Sequence, residues 1–222
     1  MQRYEEFSDL SNKDAPVRGF QHRADAADAH SLILTHGAGA NCQTQLLIAL
    51  ADAFQARGLN VLRCDLPFRQ LRPHGPPPRG AADRDQAGLR AAVASMRALG
   101  AGRVFLGGHS YGGRQASMLA ASEPQLAAAL LLLSYPLHPP KQPAKLRTEH
   151  LPSLRISAMV VHGVRDEFAT NEEMESALAL IPARTELLNI PSAGHELLTR
   201  TNRDLLLDQI TSRFLAFTGT TA

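Results

Sequence analysis

The chain has 222 residues, 44% hydrophobic and 20% charged, with 23 Lys and Arg against 21 Asp and Glu for a formal net charge of +2. This is ordinary globular usage, which excludes collagen, coiled coil and disordered polymer, and the length favours one domain, 1–222, over two. The positive residues are scattered and form no dense stripe, so a dedicated nucleic-acid binder is excluded too.

Near the N-terminus, 17–22 suits an antiparallel edge strand, with 3–7 before it as a hairpin partner. Residues 31–36 read as a strand closing in the turn Gly37-Ala38-Gly39-Ala40. A helix follows, with Leu47, Leu50, Ala51 and Phe54 on one face and Gly58 at its stop. Residues 60–65 form the next strand. A second helix carries Leu89, Val93 and Met96 in line and ends at Gly100. Then come a strand at 104–107, a helix from about Tyr111 and a strand at 127–133. A strand at 158–161, a helix at 172–181, a strand at 186–190 and a helix at 203–217 complete the series. Several strands are apolar without alternation, 127–133 most clearly, and such a strand needs cover on both faces. The expected fold class is α/β, a doubly wound, mostly parallel sheet with helices on both faces.

Residues 66–82 and 135–151 are dense in proline and basic side chains and read as loops. Each follows a parallel strand and so emerges at the carboxyl edge, where such sheets bind ligands. No apolar stretch follows Met1-Gln2-Arg3-Tyr4-Glu5-Glu6, so no secretory signal is read there. The longest apolar run, 126–133, is far short of the roughly 18 residues of a membrane span. Cys42 and Cys64 belong to no metal or redox motif and read as free thiols in a reducing compartment. A cytoplasmic location without a membrane partner is expected.

Gly108-His109-Ser110-Tyr111-Gly112 is a G-x-S-x-G set between a strand and a helix. In that context the serine sits on a sharp, strained turn and projects from the sheet. A serine hydroxyl needs a base, and the base needs an orienting carboxylate. His195, in the turn between the last strand and the last helix, is the candidate base. Asp166, four residues beyond the strand that ends at His162, is the candidate acid, with Glu167 as the adjacent rival. His162 reads as shaping a turn and His36 as structural, while His22, His30, His74, His138 and His150 read as surface residues. An oxyanion hole needs two backbone N–H donors. Tyr111 follows the nucleophile and supplies one; the turn after the first central strand supplies the other, at Ala38 or next at Gly37. That turn lacks both G-x-G-x-x-G and the Walker lysine, so no nucleotide cofactor is expected. Asp25, Asp28 and His30 lie close together without a pairing such as H-E-x-x-H, so no metal is expected.

The strings Leu34-Thr35-His36-Gly37-Ala38-Gly39 and Gly108-His109-Ser110-Tyr111-Gly112-Gly113-Arg114 resemble the α/β-hydrolase superfamily. Within it, the span from about Leu32 to Phe217 is similar to capless, dienelactone-hydrolase-like and testis-expressed-protein-like small hydrolases. The resemblance implies the triad Ser110, Asp166 and His195, whose chain order is the one expected of that fold, and an oxyanion hole at Ala38 and Tyr111. Dienelactone hydrolases proper use a cysteine nucleophile, so Ser110 argues against dienelactone as substrate. The expected chemistry is cleavage of a small ester, thioester or related acyl bond through an acyl-serine. The alternative is a non-catalytic interaction protein of the same fold. With no cap, the site is expected to be open and suited to a small-molecule acyl substrate. A rim of Arg69, Arg72, Arg79, Lys141, Lys145 and Arg147 could draw in anionic substrates, with solvated charge of no role as the alternative.

Overall fold

The computed structural model of the protein describes residues 4–26 and 29–220. One eight-stranded sheet organises it, built from β1 (Glu5–Asp9), β2 (Val17–His22), β3 (Ser31–Thr35), β4 (Asn60–Cys64), β5 (Val104–His109), β6 (Leu130–Leu133), β7 (Ala158–Gly163) and β8 (Thr185–Ile190). The order across the sheet is β1-β2-β4-β3-β5-β6-β7-β8. The six strands from β4 to β8 run parallel, while β2 pairs antiparallel with both β4 and β1. The expected N-terminal hairpin is therefore present, shifted to Glu5–Asp9 in its first strand; Arg3 of that expectation lies outside the described residues.

The helices are α1 (Gln45–Gln55), α2 (Pro67–Leu71), α3 (Ala81–Ala98), α4 (Tyr111–Ser122), α5 (Asn171–Leu178) and α6 (Arg203–Thr218). The pleat sends successive side chains to opposite faces, so an unbroken apolar strand feeds two cores. Ile33, Leu106, Leu130, Leu132 and Val160 pack with Leu89, Leu119 and Met174 on the side of α3, α4 and α5. Their neighbours Leu32, Leu34, Phe105, Leu131 and Met159 pack with Leu47, Phe54, Ile210 and Phe214 of α1 and α6. This is the doubly wound arrangement expected from the continuous apolar runs.

Three local expectations need correction. Residues 66–82 are not all loop: Pro67 opens α2, since proline at the first helical turn removes only an N–H that would be unpaired there anyway. The ladder of β6 begins at Leu130 rather than 127, although Ala128 N–H still reaches Val104 O at 2.8 Å. His22 and His138 are buried, and His30 and His150 are half-buried; of the five histidines expected at the surface only His74 is fully exposed. His22 is held between Arg63, whose Nε donates to its Nε2 at 2.9 Å, and Asp52, 3.1 Å from its Nδ1. Burial, and then the Arg63 charge, push the His22 pKa down to about 4.

Between β6 and β7 the chain forms only a 3₁₀ turn, Leu151–Ser153, and no cap domain interrupts it. The ends of β3, β5, β7 and β8 thus open together at one uncovered edge.

Candidate active site

Ser110 is the residue between β5 and α4, with φ 51° and ψ −116°. A non-glycine residue held there stores about 1–3 kcal/mol of strain and persists only where its surroundings fix it. Here the fixing is local. Ser110 N–H donates to Leu133 O of β6 at 2.8 Å, and Arg114 N–H returns to Ser110 O at 3.0 Å. The flanking glycines admit the close crossing: a Cβ at Gly112 would lie 2.6 Å from both His36 O and Thr35 Cγ2.

His195 follows β8 in a turn closed by Leu197 N–H to Gly194 O at 3.1 Å. Leu197 itself takes φ 57°, a region costly for a branched side chain, and its side chain is buried while Asn202 Nδ2 donates to its carbonyl at 2.8 Å. The turn brings His195 Nε2 to 2.9 Å from Ser110 Oγ. On the other side of the ring, Nδ1 lies 3.0 and 2.9 Å from the two carboxylate oxygens of Asp166. Asp166 sits in the turn after β7, its side chain fully shielded, and its Oδ1 also accepts Phe168 N–H at 3.0 Å. The rival Glu167 is exposed and points to no partner among the described residues. All three predicted side chains therefore meet in one hydrogen-bonded line, although 85 residues of chain separate the ends of its first bond.

The two predicted N–H donors, of Ala38 and Tyr111, have no hydrogen-bond acceptor among the described residues. Ala38 lines a cavity of about 490 Å³ together with Ser110, His109, His195, Phe168, Thr44, Gln45 and Glu196.

The sequence left three contributors unnamed. His109 is buried, and its Nε2–H donates to His195 O at 2.9 Å, holding the backbone of the histidine turn. Burial lowers its pKa, which keeps the ring neutral and leaves Nδ1 as an unprotonated acceptor beside Gly37. Phe168 lays its ring 4.2 Å from the His195 imidazole at 34°. Asp85 of α3 is wholly buried and accepts both Tyr111 O–H at 2.7 Å and Phe68 N–H at 3.0 Å. Its pKa is raised, by desolvation above all. His109 and Asp85 depend on contacts 17 to 86 residues apart, and Phe168 lies two positions from Asp166, where no spacing rule foretells a stacked ring.

Of the two readings of the basic loop residues, solvated charge of no role fits the cavity lining better. None of the six basic residues lines the cavity. Arg69 is buried with its donors on backbone carbonyls, and Arg147 Nη1 donates to Pro136 O at 3.0 Å. Among the described Asp, Glu, Lys and Arg residues, Glu196 alone lines the cavity. No metal-ligating cluster occurs among the described residues; Asp28 of the group weighed from sequence lies outside them.

A parallel sheet covered on both faces, a serine at a strained strand–helix turn and an uncovered carboxyl edge define a capless α/β-hydrolase. The chain belongs to the alpha/beta hydrolase domain family, which matches residues 28–220. It is similar in fold to the dienelactone hydrolase from Anabaena variabilis, at 19% identity and TM-score 0.72, covering 97% of this chain and 99% of that one. Est1E from Butyrivibrio proteoclasticus matches with 15% identity and TM-score 0.75 over 97% of this chain and 98% of that chain. An α/β serine hydrolase without lid from Xanthomonas campestris matches with 18% identity and TM-score 0.70 over 96% of each chain. Among the described residues no helix is long and apolar enough to cross a membrane.

Proposed function

We propose that this hydrolase cleaves small esters or thioesters through an acyl-serine formed on Ser110. His195 Nε2 takes the hydroxyl proton as Oγ adds to the substrate carbonyl. Asp166 holds the Nδ1–H tautomer and stabilises the imidazolium. The N–H groups of Ala38 and Tyr111 receive the developing oxyanion, each donor lowering the barrier by roughly 2.7–4 kcal/mol. His195 then gives its proton to the leaving alcohol or thiol. A water, deprotonated by the same nitrogen, releases the acid and restores Ser110. The observation that carries this reading is the continuous contact from Oγ through both ring nitrogens to a shielded carboxylate, at 2.9 Å on either side.

The uncovered cavity supports a small acyl substrate rather than a long lipid chain, which needs a wide apolar surface. Ferulic acid has been seen bound to Est1E, a small aromatic acid of the size such a cavity takes. We further read residues 1–222 as one domain, and the buried free thiols of Cys42 and Cys64 support work in a reducing compartment such as the cytoplasm.

A fluorophosphonate separates the enzyme from a fold-sharing interaction protein, because only an activated hydroxyl displaces its fluoride. Wild-type protein is expected to label stoichiometrically and Ser110→Ala to remain unlabelled. An unlabelled wild type, or equal labelling of both, overturns the proposal.

A further inference from the structure

The carbonyls of the turn that carries Ala38 are almost all held from behind. His36 O accepts Gly112 N–H at 3.1 Å. Gly37 O accepts Ala40 N–H at 3.1 Å and the His36 ring, whose Nδ1 lies 2.8 Å away. That ring nitrogen carries the proton, because Nε2 already accepts Leu66 N–H at 3.1 Å. Arg69 holds two more. Its Nη2 donates to Ala38 O at 2.8 Å and its Nε to Ala40 O at 2.6 Å. Two further bonds, Nη2 to Gly75 O at 2.9 Å and Nη1 to Arg72 O at 2.9 Å, tie the fork to its own segment.

A trans peptide sets N–H and C=O on opposite sides. The Ala38 N–H shares its peptide with Gly37 O, which Ala40 N–H and the His36 ring draw away from the cavity, while the Ala38 carbonyl belongs to the next peptide, whose plane Arg69 sets. The guanidinium suits this task, since its planar fork reaches several acceptors at fixed angles and never loses its charge. Its platform is braced as well. Phe68, adjacent on α2, gives its N–H to Asp85, and the other oxygen of that carboxylate accepts Tyr111 O–H. Asp85 thus ties the helix that carries Arg69 to the helix turn that carries the second donor.

We propose that Arg69 is the positioning residue of the oxyanion hole: by gripping the carbonyls of Ala38 and Ala40 it fixes the peptides that follow Ala38, and so holds the turn in which the Ala38 amide meets the transition state. The inference rests on the acyl-serine reading above. It accounts for a buried arginine with no carboxylate within ion-pairing distance among the described residues, a placement that would otherwise only cost desolvation.

The test pairs steady-state hydrolysis of a short-chain aryl ester with inhibition by an aryl trifluoromethyl ketone. Ser110 Oγ adds to that ketone, His195 takes the proton, and the hemiketal oxyanion occupies the same hole. In Arg69→Met, kcat is expected to fall roughly 10²–10³-fold, with KM held within about twofold, the signature of an interaction made only in the transition state. Ketone affinity is expected to fall in parallel with kcat/KM. Arg69→Lys, which keeps a buried cation with fewer donors, should lie between. A folded Arg69→Met protein with unchanged kcat, or a loss confined to KM, overturns the inference. Where Arg69→Met does not fold, Arg69→Lys decides, and a wild-type kcat there overturns it. A wild type that takes no fluorophosphonate removes the acyl-serine reading and this inference with it. A labelled wild type beside an unaffected Arg69 variant removes this inference alone.

Discussion

Asp166→Asn exposes the working of the site most directly. The carboxylate receives two demands: Phe168 N–H at Oδ1 and His195 Nδ1 at both oxygens. An amide cannot meet both, because one of its two ends is a donor. With the carbonyl on Phe168, the NH₂ faces Nδ1 from about the distance now held by Oδ2, 2.9 Å. Two donors cannot share that contact, so the imidazole moves its proton to Nε2. That nitrogen then donates to Ser110 Oγ and can no longer take its proton. Turnover is expected to fall about 10⁴-fold, the loss that a wrong tautomer causes in serine-triad enzymes, equivalent to about 5 kcal/mol of barrier. The side chains are nearly isosteric, so the folded state should persist. Initial rates on a short-chain aryl ester near pH 7.5, with thermal denaturation as a control for folding, measure it. A folded variant that keeps more than a tenth of the wild-type rate refutes the role given to this carboxylate.

Other outcomes follow from burial and packing elsewhere in the molecule. His22 and His150 have pKa values lowered to about 4 from 6.5, by burial first. Both stay neutral in the folded protein while the unfolded chain takes up protons. Their contribution is complete above about pH 6.5 and is lost as pH falls toward 4, at up to about 1.4 kcal/mol per pH unit for each group. Urea midpoints at pH 7 and pH 5 should show the decline, and His150→Gln should make it shallower; an unchanged slope would count against the burial argument. Gly112→Ala, whose Cβ must displace His36 O and Thr35 Cγ2, should cost roughly 1–3 kcal/mol, whereas Gly39→Ala, with nothing within 4 Å, should leave the urea midpoint where it is. A succinate monoester should gain no rate over the acetate of the same alcohol, since among the described residues Glu196 and no Lys or Arg lines the cavity; a salt-sensitive preference for the succinate would favour the cationic rim.

What the sequence disclosed was the part written in local patterns. The elbow needs glycines two positions either side of Ser110, and the crossing of Gly112 over His36 O shows why. The unbroken apolar runs declared a sheet covered on both sides, and the sheet in turn required the loops after β5, β7 and β8 to share an edge. Asp166 is told apart from Glu167 by its contact with His195, by the Phe168 amide and by burial, none of which has a sequence signature. Arg69 shows the limit of such patterns. As one basic residue of a proline-rich segment it reads as a surface charge; in the fold, Pro67 starts a helix that carries its guanidinium inward to the carbonyls of a turn 29 and 31 positions earlier. Charge density along a chain says nothing of which charges backbone carbonyls will claim.

The outermost strand of the N-terminal hairpin has a bearing on self-association. An unpaired edge invites a second copy of itself to extend the ladder. Along β1 that invitation is weakened, because antiparallel pairing about Phe7 would set Glu5 of each copy, itself paired with Arg23 at 2.6 Å, against Asp9 of the other and add Glu6 to the same margin. Like charges placed directly opposite one another repel, so the margin of the sheet farthest from Ser110 resists polymerisation by its composition alone.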